Sequence, residues 1–362
     1  MPIKNIKIID RQVSQWKGNL HVHTNRSHDS KAPYLDVLKK HKEEGYHFVL
    51  VSDHEIYWDS HEADSEGFLT LSGVETILKT NPIHEFAVDS RMKFIHINMI
   101  KDETRACNHP FEHDQRILRC YDQGLDCMNE YIHYLVEDRG QIVQMNHPDW
   151  SHMEPEILLA TQHCFAFEVY NNSAYRYVGC QTDDWRWDYC LQRGKKLRAT
   201  AGDDSHRYGE DTLEFGGGFT MVQTDDFSRQ GLVQALKTGH FYASMGPVIQ
   251  EMKIENGFLK MKFTDAAYVQ IVGYGNAGFF NGGCHGKGFC ATRGESLNSI
   301  TWEINLNLTY FRIRVIDKYG MIAWSQPVFL DDIIEHPPIE GRETRSSAWS
   351  FPRYLDEIKA IK

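Results

Sequence analysis

Short apolar runs alternate with longer amphipathic stretches over the first two thirds of the chain. Seven of these runs are predicted to be strands: 18–22, 47–51, 69–74, 93–98, 141–145, 166–170 and 197–201. Residues 34–44 and 126–138 are predicted helices, and in the second one Met128, Ile132 and Leu135 recur at helical spacing. Alternating strands and helices over this length predict a parallel α/β fold, either a barrel or an open sheet.

The apolar period shortens to two in the last third of the chain, which is typical of strands. Five strands are predicted there: 258–263, 268–272, 300–306, 311–316 and 321–329. They predict a small antiparallel β-sandwich over residues 246–330, with the glycine-rich segment 273–288 supplying turns. Residues 1–245 are the predicted α/β domain, in which residues 99–124 break the pattern and are interpreted as an inserted loop. Residues 331–362 are interpreted as an extension that packs back on the body.

The charge balance narrows the classes of partner. With 50 acidic and 39 basic residues the net charge is -11, whereas nucleic-acid and anionic-membrane binders usually carry the opposite sign. The chain has no run of about 18 apolar residues that could cross a bilayer, and its first 17 residues lack the apolar core of a signal peptide. The eight cysteines form no C-x-x-C pair. We therefore expect reduced thiols in a cytoplasmic protein, although the even cysteine count also fits a secreted one.

Histidines are unusually frequent, with 19 in the chain, and imidazole is the commonest metal ligand among side chains. Their positions say more than their number, because histidines or carboxylates sit at the ends of six of the seven predicted strands. His21 and His23 alternate along the first strand and therefore point to the same face. The carboxyl ends of strands in an α/β barrel converge on the active site. The pattern therefore predicts a metal site at these strand ends.

Taken in order, the strand-end motifs resemble those of the polymerase-and-histidinol-phosphatase (PHP) superfamily of metal-dependent phosphoesterases. The motifs are His21-Val22-His23-Thr24 with Ser27-His28, Ser52-Asp53-His54, Gly73-Val74-Glu75, His96, Asn146-His147-Pro148 and Gly202-Asp203-Asp204-Ser205-His206. The resemblance covers roughly residues 17–245. It implies a distorted (β/α)7 barrel that holds two or three divalent metal ions.

The resemblance also implies which side chains bind these ions. By position, the first would be held by His21, His23, Glu75 and Asp204, the second by Glu75, His96 and His147, and the third by His28, His54 and His206. Glu75 would thus bridge two ions. The family often has Asp where this chain has His28, so either His28 or the adjacent Asp29 could fill that place. Asp203 would support the ligands from behind.

The implied chemistry is hydrolysis of a small phosphomonoester or phosphodiester. Paired metal ions lower the pKa of a shared water, and the resulting hydroxide would attack phosphorus in line. Nitrogen and carboxylate ligands suit Mn, Zn or Fe without distinguishing among them. Glu75, Asp204 and His206 are expected at the catalytic centre.

Four further residues are candidates for contacting the substrate. Arg26 and Arg207 adjoin ligand motifs, and a guanidinium can bind a phosphate through two parallel hydrogen bonds. Tyr170 and Asn171 follow the sixth predicted strand and are expected to line the pocket.

Two other functions stay open at this point. Residues 239–247 and 323–329 resemble a two-domain branch of the family that includes carbaryl hydrolase, so a carbamate or carboxylic-ester hydrolase with the same metal site is one alternative. The other, from a different class, is a carbohydrate- or protein-binding role of the C-terminal domain. The expected partner is a small-molecule ester rather than a nucleic acid or a membrane, and the sequence leaves the oligomeric state open.

Overall fold

A computed structural model of the chain describes residues 2–80, 93–119, 125–277 and 280–335. The protein is mostly β, with 38% strand against 19% helix, and its described residues contain three sheets and seven helices. The predicted (β/α)7 barrel of TIM-like type is therefore wrong. No barrel closes among the described strands, and the helices are too few for one to follow each strand.

The strands and helices have the following bounds. The strands are β1 (Ile6–Ile9), β2 (Gln15–Asn19), β3 (Phe48–Leu50), β4 (Leu69–Leu71), β5 (Gly73–Thr80), β6 (Lys93–Lys101), β7 (Gln141–Met145), β8 (Cys164–Asn171), β9 (Ala199–Gly202), β10 (Phe219–Gln223), β11 (Phe241–Ser244), β12 (Ile249–Glu255), β13 (Phe258–Ala266), β14 (Tyr268–Ala277), β15 (Phe280–Cys290), β16 (Leu297–Glu303), β17 (Leu308–Ile316), β18 (Ile322–Trp324) and β19 (Val328–Phe329). The α-helices are α1 (Tyr34–Glu43), α2 (Leu125–Glu137), α3 (Pro155–Ala160), α4 (Asp184–Gln192), α5 (Arg229–Thr238) and α6 (Leu330–Ile333). A π-helix spans Ala174–Val178.

The described residues divide into two compact units, and the larger one consists of Gln15–Trp185 and Ala199–Ala243. One of its sheets has the strand order β5-β6-β7-β8-β9, and a second set of strands follows the order β11-β10-β2-β3-β4. Strands β7, β8 and β9 run parallel, as do β2, β3 and β4. Strand β6 is antiparallel to both of its neighbours, and β10 is antiparallel to β2.

The barrel prediction failed at the third and fourth predicted strands. The apolar run 69–74 is divided between β4 and β5, which belong to different sheets although only Ser72 separates them. Strand β6 then pairs antiparallel with β5, from Gly73 opposite Ile100 to Thr80 opposite Lys93. Hydrophobic periodicity identifies a strand but carries no information about its hydrogen-bonding neighbour. The predicted parallel crossovers were therefore an assumption that the backbone does not follow.

Helices α1 and α5 bury apolar side chains in the core of this unit. Leu38 of α1 belongs to a buried cluster with Val49 and Val51, and Leu232 of α5 belongs to another with Phe48. Helix α5 begins where the Ser228 hydroxyl accepts a hydrogen bond from the Gly231 amide, 3.0 Å away, which is a standard N-terminal cap. Both clusters lie beneath strands whose ends carry the predicted ligands, so they fix the position of those ends.

The second compact unit consists of residues 2–14, Arg186–Arg198 and the described residues from Ser244 onward. It contains a four-stranded antiparallel sheet of order β1-β12-β13-β16. Strand β14 pairs antiparallel with both β15 and β17. A buried ion pair joins Arg312 to Asp188, with the guanidinium donating to both carboxylate oxygens at 2.9 and 2.6 Å. The glycine-rich segment 273–288, predicted to form turns, lies largely within β14 and β15 instead.

The predictions for the insertion, the C-terminal extension, membrane-spanning helices and the cysteines can also be compared with the structure. Within the predicted insertion 99–124, β6 occupies the first three residues, and residues 102–119 contain no helix or named strand. The predicted extension 331–362 lies outside the described residues from 336 onward. None of the helices in the described part of the chain is long and apolar enough to cross a membrane. The six cysteines whose side chains are described form no disulfide bond.

Candidate metal centre

Backbone hydrogen bonds bring the strand-end motifs together. The Asp204 amide donates to the His21 carbonyl, and the His23 amide donates to the Ser205 carbonyl, at 3.0 and 3.1 Å. Short parallel bridges also pair Val22 with Ser205 and His54 with Glu75. These contacts hold the segments after β2, β3 and β9 side by side, next to the first residues of β5. Residues that are far apart in the sequence therefore share one edge.

Three buried side chains and the partly buried side chain of Asp204 converge on one point. The Nε2 atom of His21 lies 3.2 Å from Glu75 Oε1 and 3.1 Å from Asp204 Oδ1, and Nε2 of His23 lies 3.2 Å from Glu75 Oε2 and 3.0 Å from Asp204 Oδ1. Neither Nε2 atom has a hydrogen-bond partner despite being buried. Ligand bonds of about 2.0–2.2 Å separate neighbouring donor atoms by about 3.0–3.4 Å. The spacing and the missing hydrogen bonds both suit ligands gathered around a cation.

A second group of donor atoms surrounds Asp29. Its Oδ2 atom lies 3.2 Å from His54 Nε2 and 3.3 Å from His206 Nε2. The His23 and His206 rings stack with their centroids 4.1 Å apart, which joins this group to the first one. The donor set is again imidazole and carboxylate.

A third group includes the other face of Glu75. His54 Nδ1 lies 3.2 Å from Glu75 Oε2, and His96 Nδ1 lies 3.0 Å from Glu75 Oε1. The Nε2 atom of His147 is more distant, at 3.5 Å from Glu75 Oε1 and 3.9 Å from Asp204 Oδ2. Five imidazole nitrogens therefore lie within 3.5 Å of the Glu75 carboxylate oxygens.

Among the described residues, three groups have donor atoms close enough to one another to hold a metal ion. They are His21, His23, Glu75 and Asp204; His23, Asp29, His54 and His206; and His54, Glu75 and His96. Eight of the nine predicted ligands therefore lie at the centre, seven of them in these groups and His147 beside them. The ninth, His28, is not brought in, because its side chain is 67% exposed and its Nε2 atom lies 4.0 Å from Asp29.

The carboxylates at the centre determine the charge states of the groups around them. Burial opposes protonation of the His23 ring, but the adjacent Asp204 and Glu75 carboxylates outweigh it and raise its pKa to about 10. Burial likewise disfavours the ionised form of Glu75, yet the surrounding imidazoles of His21, His96 and His54 hold its pKa well below the usual range. The carboxylates therefore favour positive charge at this point, whether it is carried by protons or by cations.

Glu168 supports the centre and was not predicted. Its Oε1 accepts a hydrogen bond from His21 Nδ1 at 2.9 Å, and its Oε2 accepts bonds from the His147 amide and Asn171 Nδ2, both at 3.0 Å. With Nδ1 donating, Nε2 of His21 carries the lone pair that faces the centre. Gly202 makes room for this contact, because a Cβ there would lie 3.0 Å from both Glu168 Oε1 and His21 Cβ.

Further polar side chains hold the ligands from behind. Asn146 Nδ2 donates to Glu75 Oε1 at 2.8 Å, and Asn171 Nδ2 donates to Asp204 Oδ2 at 3.1 Å. The Ser27 hydroxyl lies 3.0 Å from His23 Nδ1 and accepts a bond from the His54 amide. These contacts fix the orientation of carboxylates and imidazoles alike. The position of Asn171 is therefore that of a ligand support.

The predicted supporting role of Asp203 takes a different form. Its carboxylate accepts hydrogen bonds from the amides of three successive residues, Gly216, Gly217 and Gly218, at 2.7–2.9 Å. Burial raises its pKa to about 6, against the opposing effect of these amide bonds. Asp203 therefore anchors the loop that follows His206. It is also linked to His21 through Asn19, whose Nδ2 donates to the Asp203 carboxylate at 2.8 Å and whose Oδ1 accepts from the His21 amide at 3.2 Å.

The structure places the remaining substrate candidates as follows. The Arg26 guanidinium donates to Asp114 and lies over the Trp58 ring. Arg207 is 64% exposed and donates to Glu214 at 2.7 Å. Tyr170 is buried, and its hydroxyl donates to Asn172 at 2.7 Å. None of these contacts points to a substrate.

Two features near the ligands were not among the predicted site residues. Arg119 donates to both carboxylate oxygens of Glu55, at 2.8 and 3.0 Å, and Glu55 directly follows His54 with a φ of 56°. The Trp150 ring packs against the rings of His96 and His147, with centroids 5.1 and 5.0 Å away. Trp150 stands three residues after His147, beside a ligand motif, whereas no sequence pattern distinguishes Arg119 from ordinary loop residues.

The donor atoms at this centre are imidazole nitrogens and carboxylate oxygens, which are suitable ligands for a divalent metal ion. Several of these nitrogens are buried without hydrogen bonds, so the residues fit such an ion. A scan of the chain against protein-family models and a search among curated proteins found no match.

Proposed function

We propose that this protein is a metal-dependent hydrolase that cleaves a small phosphomonoester or phosphodiester. The observation that carries the proposal is the convergence of buried imidazole and carboxylate donors, 3.0–3.2 Å apart, around Glu75 and Asp204. The metal content we propose is two or three divalent ions, drawn from Mn, Zn and Fe. The three overlapping ligand groups support that number.

Each ligand group would hold one ion, and three residues, His23, His54 and Glu75, would each belong to two groups. When bound, such ions lower the pKa of water towards neutrality and neutralise charge on the substrate oxygens. The protein's own contribution is positioning. Glu168 holds the His21 tautomer, and Asn146 and Asn171 hold the carboxylates of Glu75 and Asp204. A fixed ligand set requires little reorganisation during the reaction.

A carbamate or carboxylic ester is the second candidate substrate, and one observation favours it. Three arginines adjoin ligand-bearing segments, and each is paired with a carboxylate: Arg26 with Asp114, Arg119 with Glu55, and Arg207 with Glu214. A guanidinium that is already neutralised attracts a phosphate less strongly than a free one. A neutral ester makes no such demand.

The test is an activity assay on protein that has been stripped of metal and reconstituted. Phosphomonoesters, phosphodiesters, carbamates and carboxylic esters should each be offered with Mn, Zn or Fe. We expect hydrolysis of at least one phosphate ester that depends on added metal and is lost in Glu75→Gln. Cleavage of carbamates or carboxylic esters alone would favour the second candidate. Full activity in the metal-free protein would contradict both.

A further inference from the structure

We propose a second ligand site in the smaller compact unit, on the outer face of the sheet β1-β12-β13-β16, where a chain of phosphate groups binds. The site is a groove with a cavity volume of about 530 Å³. Its charged lining consists of five basic and two acidic side chains, namely Lys7, Arg11, Lys253, Lys260 and Lys262 with Asp10 and Glu251. The proposal does not depend on the metal centre or on the proposed hydrolysis.

A row of lysines crosses three neighbouring strands of this sheet. Lys7 of β1 lies directly opposite Lys253 of β12, and Lys253 lies directly opposite Lys260 of β13. The residues that alternate with Lys253, Met252 and Ile254, are buried, so the lysines occupy the outer face. Like charges directly opposite each other across strands are destabilising. A bound anion would remove that cost.

The position of the row argues against a simple role in solubility. Lysines that prevent aggregation are found on edge strands, where they discourage pairing with another chain. Here Lys253 and Lys260 lie on β12 and β13, the two inner strands of the four. The chain as a whole is acidic, with a net charge of -11, so a basic groove is a local departure from its overall charge.

The carboxylates that pair with lysines of the groove can be replaced by an anionic ligand that competes for the same ammonium groups. Asp10 pairs with Lys7, and Glu255 pairs with Lys260, both at 2.6 Å. The lysine side chains in these pairs are 58% and 40% exposed, and exposed pairs contribute little to stability. Lys253 stands between the two pairs. A multivalent anion could displace the carboxylates at small cost.

The length of the lysine row fits a chain of anions better than a single ion. Adjacent strands lie about 4.8 Å apart, so the three lysines span about 10 Å at the backbone, which is several times the width of one phosphate group. Hydroxyl groups extend the pattern onto β16, with Thr301 opposite Lys260 and Ser299 opposite Lys262. Ammonium and hydroxyl donors both bind phosphate oxygens. None of the twelve residues that line the groove is aromatic, so it offers no ring on which nucleic-acid bases could stack. The occupant that fits is therefore inorganic polyphosphate.

The test is binding of short-chain inorganic polyphosphate to the full chain, measured by calorimetry at several salt concentrations. The Glu75→Gln variant should bind it equally, because the metal centre is not involved. Orthophosphate at equal phosphate concentration should compete poorly, because a single phosphate is too short to contact all three lysines of the row. Oligothymidylate is the second probe, and tighter binding of it than of polyphosphate would overturn the choice of occupant. Absence of polyphosphate binding at low salt would overturn the proposal, as would equal competition by orthophosphate.

Substitutions separate the groove from general charge effects. Lys253→Gln should weaken binding about three- to tenfold and lower the slope of log K against log salt by about one. Its melting temperature should change little, because the relief of two like-charge contacts is offset by the lost attraction between Lys253 and Glu255. Lys253→Arg should keep the affinity. Lys318→Gln, which removes an exposed lysine of the same unit, is the matched control and should bind as the wild type does. Equal loss in Lys253→Gln and Lys318→Gln would reject the groove.

Discussion

The side chain of Glu168 offers a sharp test of how the ligands are oriented. Its two oxygens face donors on opposite sides: His21 Nδ1 at 2.9 Å, and the His147 amide together with Asn171 Nδ2 at 3.0 Å. Glu168→Gln preserves size and shape but replaces one oxygen by an NH2 group. Whichever way the amide turns, one of these donors must then face another donor.

Both orientations of the new amide damage the centre. If the NH2 group faces His21, that ring must accept at Nδ1 and protonate at Nε2, which can then no longer bind a metal. If it faces His147, two hydrogen bonds are lost. Substitutions of this kind cost about 10–100-fold in metal affinity, which corresponds to about 1.4–2.7 kcal/mol. We expect Glu168→Gln to lose metal affinity within that range, measured by competition with a chelator.

A control variant separates this effect from simple loss of stability. Asp188→Asn also neutralises a carboxylate, the one paired with buried Arg312 in the other compact unit. It should lower the melting temperature while leaving metal affinity unchanged, because breaking a buried pair is costly wherever it lies. If Glu168→Gln binds metal as tightly as the wild type, the assigned role of Glu168 is wrong.

Two further predictions concern single side chains. Asp29→Asn should lose one metal ion per chain by elemental analysis, whereas His28→Ala should lose none. The reason is that Asp29, and not His28, lies 3.2–3.3 Å from the His54 and His206 nitrogens. Equal metal contents in the two variants would contradict this. Burial lowers the pKa of His41 to about 4, below its unfolded value of about 6.5. The stability gained by burying the neutral imidazole is therefore complete above pH 6.5 and is lost as the pH falls towards 4. The free energy of unfolding should fall by up to about 1.4 kcal/mol per pH unit in that window, and denaturant titrations of His41→Asn should show a shallower fall; an identical pH dependence would refute the assignment.

The sequence identified the local elements more reliably than their arrangement. The helical spacing in residues 34–44 and 126–138 corresponds to α1 and α2, since an amphipathic period is a property of the segment alone. Strand order depends on backbone pairing between distant segments, which leaves no periodic trace. The prediction of a strand at 268–272 found the first half of β14, but the glycine-rich second half and all of β15 were missed, because glycine contributes no side-chain alternation to recognise.

The candidate centre was predictable where a motif joined a strand end to a ligand type. His21, His23, Glu75 and Asp204 converge as their positions in the motifs suggested. The choice between His28 and Asp29 could not be made from adjacent loop residues, because it depends on which side chain turns inward. Glu168 was overlooked in a strand that reads as apolar. A carboxylate in a buried strand is a signal that could have identified it, because such a charge is costly without partners.

Metal content is the measurement that tests the central claim most directly. Wild-type protein and Glu75→Gln should be stripped, reconstituted with Mn, Zn or Fe, and analysed for bound metal after exhaustive dialysis. We predict two or three ions per wild-type chain and a clear loss in Glu75→Gln, because Glu75 belongs to two of the three ligand groups. A wild-type protein that binds no divalent ion, or a Glu75→Gln variant that retains the full complement, would contradict the metal centre proposed for this protein.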